Sequence, residues 1–285
     1  MNQSETKRMF FNILRTWILI LFFGCNGIQT SFNSKVEIDF LKQPLQESRV
    51  LTKLDIQNLP SPVQNYLLYT GVVGKPQVQN MRIVFDELMY QSPNTKPMDA
   101  SSEQYNFFNH PSRYFFMKAS KMGVPFRVLH SYSEEKAIMI VRVASLFNAV
   151  DLEGENLSET ETVTVLNDLC LFAPGALIHK NIRWAPVDKL SAKVIFKNGK
   201  YQVSAMLYFN ELGELIKFVS EDRSALQDDG SLRKARWTTP VRDYKEFNGI
   251  KLPTYGEAIW NYPEGDYIYG KFFLKTVEYN LKGLI

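Results

Sequence analysis

Cysteine and histidine are both scarce in this chain of 285 residues, with two of the first and three of the second. His110, His130 and His179 show no i, i+4 pairing and no cysteine stands near them, so the spacing expected of a zinc or other transition-metal site is missing. No metal and no cofactor is expected. A G-x-S-x-G nucleophile elbow is also missing. Gly71-Val72-Val73-Gly74-Lys75-Pro76 has the wrong spacing for a phosphate loop, and Pro76 stands where a magnesium-binding Ser or Thr is needed. Charge of one sign is lacking too: the formal net charge is +3. Lys7, Arg8 and Arg15 against Glu5 account for most of that excess, so the body is almost neutral and gives no electrostatic case for a nucleic-acid partner. The uncharged run Trp17–Phe23 is far shorter than the roughly 20 apolar residues of a membrane-spanning helix.

That short run has a different meaning in its context. A basic stretch, an apolar core and a small residue follow one another, which is the order of an export signal. The run ends in Leu21-Phe22-Phe23-Gly24-Cys25, which resembles the lipobox of bacterial lipoproteins. The resemblance implies cleavage after Gly24 and lipidation of Cys25; Phe22 and Phe23 are bulkier than the usual residues there. An uncleaved signal anchor, or a buried amphipathic helix with an incidental cysteine, are the alternatives. The expected organisation is a lipoprotein signal over residues 1–24, a tether and entry segment over 25–50, and one domain over 51–285. With Cys25 acylated, Cys170 would have no disulfide partner. Its apolar setting, Leu169-Cys170-Leu171-Phe172, suits an inert buried thiol.

The body is rich in aromatics, 13% of residues, which favours pleated and half-buried surfaces. Five X-Gly pairs punctuate its second half: Asn198-Gly199, Leu212-Gly213, Asp229-Gly230, Asn248-Gly249 and Glu264-Gly265. Such pairs mark hairpins, because tight β-turns need positive φ. Earlier strands are expected over Val78–Tyr90, Glu103–Phe108, Ser112–Lys118, Val124–Tyr132 and Lys136–Val143. Helices are expected from Ser61 to Gly71 and, with Ser158 and Glu161 as a capping box, through Val163, Leu166, Cys170 and Ala173 to Pro174. In Tyr267–Tyr279 both faces carry apolar groups, so either both are covered or one lines an apolar cavity. The expected fold is α+β: a large curved antiparallel sheet, an incomplete β-barrel, wrapped around a buried helix.

Few residues stand out as a site. If Ile216 and Phe218 face inward, period two brings Ser220 and Asp222 inward as well, with Arg236 the expected neighbour of Asp222; a structural ion pair is the simpler reading of those two. Trp184, Trp237 and Trp260 fall in or beside the same strands, where core packing and the lining of an apolar ligand site are both open. Asp222, Arg236, Trp184, Trp237 and Trp260 are thus the candidate ligand-binding residues, and no catalytic residue is assigned.

Four strings, Leu59-Pro60-Ser61-Pro62-Val63-Gln64-Asn65-Tyr66-Leu67, Leu166-Asn167-Asp168-Leu169-Cys170-Leu171-Phe172-Ala173-Pro174, Ser220-Glu221-Asp222-Arg223 and Trp237-Thr238-Thr239-Pro240-Val241-Arg242-Asp243-Tyr244, resemble a bacterial family of unknown function over roughly residues 55 to 280. That resemblance transfers no catalytic residue. The inferred architecture is similar to the periplasmic lipoprotein carriers of the LolA and LolB type, which hold acyl chains in an incomplete barrel; fold does not imply function. The expectation is an exported, membrane-anchored envelope lipoprotein that binds a lipid or another apolar small molecule without chemistry. A hydrolase-type enzyme around Asp222, with Arg236 and Glu257 or Asp168, is the main alternative. A structural or assembly lipoprotein of the envelope is the third.

Overall fold

The computed structural model describes residues 27–47, 49–227 and 230–285; Cys25 and the signal-like segment lie outside the described residues. Among the described residues three helices come first, α1 (Gly27–Lys42), α2 (Lys53–Ile56) and α3 (Ser61–Thr70). A meander follows: β1 (Asn80–Met89), β2 (Met98–Phe107), β3 (Ser112–Lys121), β4 (Val124–Ser133), β5 (Lys136–Val143) and β6 (Phe147–Glu153). Helix α4 (Glu155–Phe172) then leads to β7 (Ile182–Pro186), β8 (Ser191–Asn198), β9 (Tyr201–Phe209) and β10 (Leu215–Ser220). A small ribbon of β11 (Ser224–Leu226) and β12 (Leu232–Lys234) precedes β13 (Arg236–Phe247), β14 (Ile250–Tyr262) and β15 (Gly265–Tyr279).

One antiparallel sheet of 13 strands holds these together in the order β6-β5-β4-β3-β2-β1-β15-β14-β13-β10-β9-β8-β7. Chain neighbours pair with chain neighbours, except that β10 pairs with β13 past the β11–β12 ribbon, and the pairing of β1 with β15 joins the two halves. Strand twist prevents so wide a sheet from staying flat, and it curves. Helix α4 leaves the β6 edge and delivers the chain to the β7 edge, so it crosses the hollow that the curvature creates. This is the α+β fold expected from the sequence, with its two sheet edges unpaired to each other.

Turn chemistry explains the meander. All five X-Gly glycines have positive φ. At Asn248-Gly249 both residues do, at 52° and 76°, as the hairpin between β13 and β14 requires. The β4–β5 turn uses Glu134 and Glu135 at 52° and 62°, without any glycine.

Strand β15 accounts for the two-sided apolar pattern of Tyr267–Tyr279. Its register against β14 shifts between Ala258 and Ile259, and against β1 between Val84 and Phe85, which makes Tyr269 and Lys275 the extra residues of two β-bulges. Each bulge resets the alternation. Tyr267 and Tyr269, then Phe272 and Leu274, then Val277 and Tyr279 all pack into the same concave core. One face is therefore apolar, read in three blocks, and its first two blocks line a cavity.

Helix α4 is buried on nearly every side, with 15 of its 18 residues inaccessible. Its start differs from the capping-box expectation. The helix begins directly after Gly154, at φ 126°, so Ser158 and Glu161 lie inside it. Ser158 Oγ donates to the Gly154 carbonyl (2.8 Å) and accepts from the Ala137 N–H (3.0 Å), which ties the first turn to β5. Glu161 is freed to point elsewhere. Helix α3 spans the expected residues and ends at Gly71 in the left-handed region, but its cap is Pro60, with no side-chain cap from Ser61. The Tyr66 hydroxyl donates to the Cys170 carbonyl (2.8 Å), fixing α3 against α4.

Where a tether was expected, Gly27–Lys42 forms α1. Ile28, Phe32 and Val36 recur every fourth residue and pack on Tyr105, Phe107, Tyr114, Phe116 and Leu129, the convex face of the sheet. Burying a side chain such as Phe32 contributes about 1.5–3 kcal/mol. Asp39, buried at the end of this stripe, accepts from the Ser112 hydroxyl and from the Tyr114 hydroxyl at 2.9 Å.

Candidate functional site: the cavity beneath the buried helix

Between α4 and the concave sheet lies a cavity of about 710 Å³. Leu157, Thr160, Glu161, Thr164, Asn167, Asp168 and Leu171 line it at helical spacing, forming one stripe of α4. The opposite stripe, Val163, Leu166, Cys170 and Ala173, belongs to the apolar core. Burial pushes the Cys170 thiol up, as suits an inert group. Aromatic and aliphatic side chains form most of the remaining wall: Phe85, Phe115 and Met117 from the first half of the sheet, Trp237, Trp260 and Phe272 from the second.

A charged cluster forms part of the cavity wall. Arg113, from β3, donates from Nε to Asp168 (2.8 Å), from Nη1 to Glu161 (3.2 Å) and from Nη2 to the side-chain Oε1 of Gln104 (2.7 Å). Gln104 Nε2 (2.8 Å) and Asn106 Nδ2 (3.0 Å) also donate to Asp168. His130 Nδ1 stands 3.4 Å from Glu161. Burial alone would raise the Glu161 carboxyl, but the His130 hydrogen bond and the charges of His130, Arg113 and Arg223 hold it down, to about 2. Burial pushes the Asp168 carboxyl up while Arg113 and Asn106 pull it back. Acid, base and cation here all spend their polar atoms on one another, which is what a buried network must do to persist.

Two buried side-chain atoms among the described residues have no hydrogen-bond partner, Glu87 Oε2 and Arg223 Nε. Glu87, on β1 between the cavity-lining Phe85 and Met89, is 2% exposed and accepts from the Ser102 hydroxyl through Oε1. Burial pushes its carboxyl up to about 7. Arg223 is 8% exposed and lines the cavity. Its guanidinium lies 3.9 Å from the Trp237 ring centroid and 5.3 Å from that of Trp260.

The five candidate ligand-binding residues separate in space. Trp237 and Trp260 line the cavity; Trp184, Asp222 and Arg236 are not among its walls. Trp184 packs at the β7 edge and donates to the Leu177 carbonyl (3.4 Å). Asp222 accepts from the backbone N–H (2.8 Å) and hydroxyl (3.2 Å) of Ser204, with Lys234 Nζ at 3.9 Å. Arg236 does not meet Asp222; its Nε lies 3.5 Å from Glu221 at the exposed surface. The inward assignment fails because Ile216 is the irregular residue in the β10–β9 register and β10 stops at Ser220. The backbone bends through Glu221 and Asp222, and Arg223 turns into the hollow in place of Asp222. Arg113 carried no signal for sequence reasoning, Glu161 stood only in a false capping box, and Arg223 stood in the string Ser220-Glu221-Asp222-Arg223 without being singled out as a site residue.

A family model described as a family of unknown function, DUF6544, matches residues 49–272. The chain belongs to DUF6544. The DUF6544 match takes in Arg113, Glu161, Asp168, Arg223, Trp237, Trp260 and Tyr269, so the whole cluster and the tryptophan pair lie inside it. The motif resemblance read from the sequence is thus to a family without assigned activity. Among solved structures, the chain is similar to a LolA superfamily protein from Nitrosomonas europaea, at 11% identity and a TM-score of 0.39, covering 76% of this chain and 93% of that one. No curated protein matches the chain.

Proposed function

We propose that this protein is an envelope lipoprotein, anchored through Cys25, that holds a lipid or another hydrophobic ligand in the cavity beneath α4 without performing chemistry on it. The observation that carries this reading is the cavity itself. Its volume of about 710 Å³ falls in the range of roughly 300–1,000 Å³ typical of small-molecule sites, which are mainly apolar with a few placed polar groups. Its wall has that composition, and the charged cluster is closed upon itself. The anchor rests on the lipobox-like Gly24-Cys25; two or more acyl chains, at about 0.8 kcal/mol per buried CH₂, hold a protein stably on a membrane.

The test is solvent extraction of protein purified from membranes, followed by mass spectrometry, together with Nile red titration of the delipidated protein. The expected result is recovery of a lipid-like species approaching one per chain, and Nile red fluorescence that the recovered species displaces. Neither co-purified lipid nor saturable Nile red binding would overturn the reading.

A further inference from the structure

The geometry points to Arg223 as the anchor for an anionic head group, a carboxylate or phosphate, on the ligand whose apolar part fills the cavity. This inference rests on the hydrophobic-ligand reading above and adds the class of head group. Arg223 sits at the end of the bend after β10, with its guanidinium packed against Trp237 and near Trp260. Stacking on aromatic faces holds the planar fork in one orientation and limits its hydration.

The donors of that fork divide in two. Nη1 donates to the Tyr269 hydroxyl oxygen at 3.0 Å. The opposite edge, Nε with Nη2, is the one suited to a two-point grip on a carboxylate or phosphate. Among the described residues Nε is buried and without an acceptor. The Trp237 indole N–H also donates to the Tyr269 oxygen, at 3.1 Å. With both lone pairs of that oxygen engaged, the Tyr269 O–H proton is left as a further donor beside Arg223.

Competing anions near Arg223 are otherwise engaged. Glu161 feels the Arg223 charge through space but makes its ion pairs with Arg113 and His130, Glu264 is held by Arg233 at 3.0 Å, and Glu257 accepts from the Tyr255 hydroxyl. No carboxylate among the described residues forms an ion pair with Arg223. A buried cation in an apolar, aromatic setting is costly unless paired. An amphipathic anion supplies the pair, while its chain covers Phe272, Met117 and the other apolar walls.

The experiment uses the delipidated full chain and three ligands that share one oleyl chain: oleate, 1-oleoyl lysophosphatidate and oleyl alcohol. Displacement of Nile red gives relative affinities for wild type, Arg223→Gln and Arg223→Lys. In wild type at least one anionic ligand is expected to bind about 10- to 100-fold more tightly than the alcohol, the contribution of a charge-assisted hydrogen-bonded pair. Whether oleate or lysophosphatidate leads identifies the head group as carboxylate or phosphate. Arg223→Gln is expected to erase the preference and leave alcohol binding within about twofold, and Arg223→Lys, which keeps charge but loses the two-point edge, to restore only part of it. Alcohol binding as tightly as both anions in wild type, or a preference that survives in Arg223→Gln, overturns the anchor while the hydrophobic-ligand reading stands. Failure of all three ligands to displace bound Nile red also overturns the anchor, and the absence of both saturable Nile red binding and co-purified lipid overturns both readings. If Arg223→Gln does not fold, the wild-type series and Arg223→Lys still decide.

Discussion

Replacing Glu87 by glutamine should change how stability depends on pH in a way that can be worked from the structure. The carboxyl is 2% exposed, and one oxygen has no partner among the described residues. Burial lifts it from the ordinary 4.5 to about 7. In that window the folded protein keeps a proton that the unfolded chain has lost, so folding binds protons and stability falls as pH rises. At about 1.4 kcal/mol for each tenfold change in proton affinity, the loss across the window is about 3 kcal/mol. Below pH 4.5 the group is protonated in both states and contributes nothing; above about 7 the full cost is present. Glutamine cannot ionise, so Glu87→Gln removes the slope. Urea unfolding at stepped pH, taken as the difference between wild type and variant, isolates this group from the histidines. The unfolding free energy of wild type relative to the variant should drop by about 3 kcal/mol between pH 4.5 and about 7. A flat difference curve, or one that rises with pH, would refute the reasoning.

Arg113→Met should destabilise the fold by about 3–5 kcal/mol, because it strands Glu161 and Asp168 as buried charges; a lower urea midpoint checks this, and adding Glu161→Gln and Asp168→Asn should recover most of the loss. Cys25→Ser should shift the protein from the membrane to the soluble fraction and remove acyl mass from its N-terminal peptide, and unchanged partition would sink the anchor.

The legible part of the fold was the part written in glycine and in alternation. Gly199, Gly213, Gly230, Gly249 and Gly265 all take the positive φ that tight turns demand. Strand β6 was missed because its residues are mostly exposed and carry no apolar stripe. The break between Tyr132 and Lys136 was placed by the strand pattern, but no turn signal marked it, because its positive φ values fall on Glu134 and Glu135, residues that rarely adopt them. Helix α1 hides because its buried stripe is one residue wide, Ile28, Phe32, Val36, in an otherwise polar segment. At the site, period two works only while a strand lasts. Residue type and place in the strands put Trp237 and Trp260 in view, whereas period two misplaced Asp222 because β10 ends at Ser220. Glu161 matched a cap motif, but Gly154 starts the helix a turn earlier, and only tertiary contact with Arg113 tells the two apart.

The two bulges in β15 make this strand unusually sensitive to its own length. Substitution at Phe272 or Leu274 would alter one patch of the cavity wall. Loss of the single residue Lys275 would merge two reading frames of the pleat, and gain of one beside Tyr269 would split them differently. With both bulges kept, one codon removed or added elsewhere in the strand would turn several neighbouring wall positions to the outside together and bring their outward neighbours in. Relatives that differ by such small indels here would present different linings to their contents while keeping almost the same residues, a route to new preferences that residue-by-residue comparison would overlook.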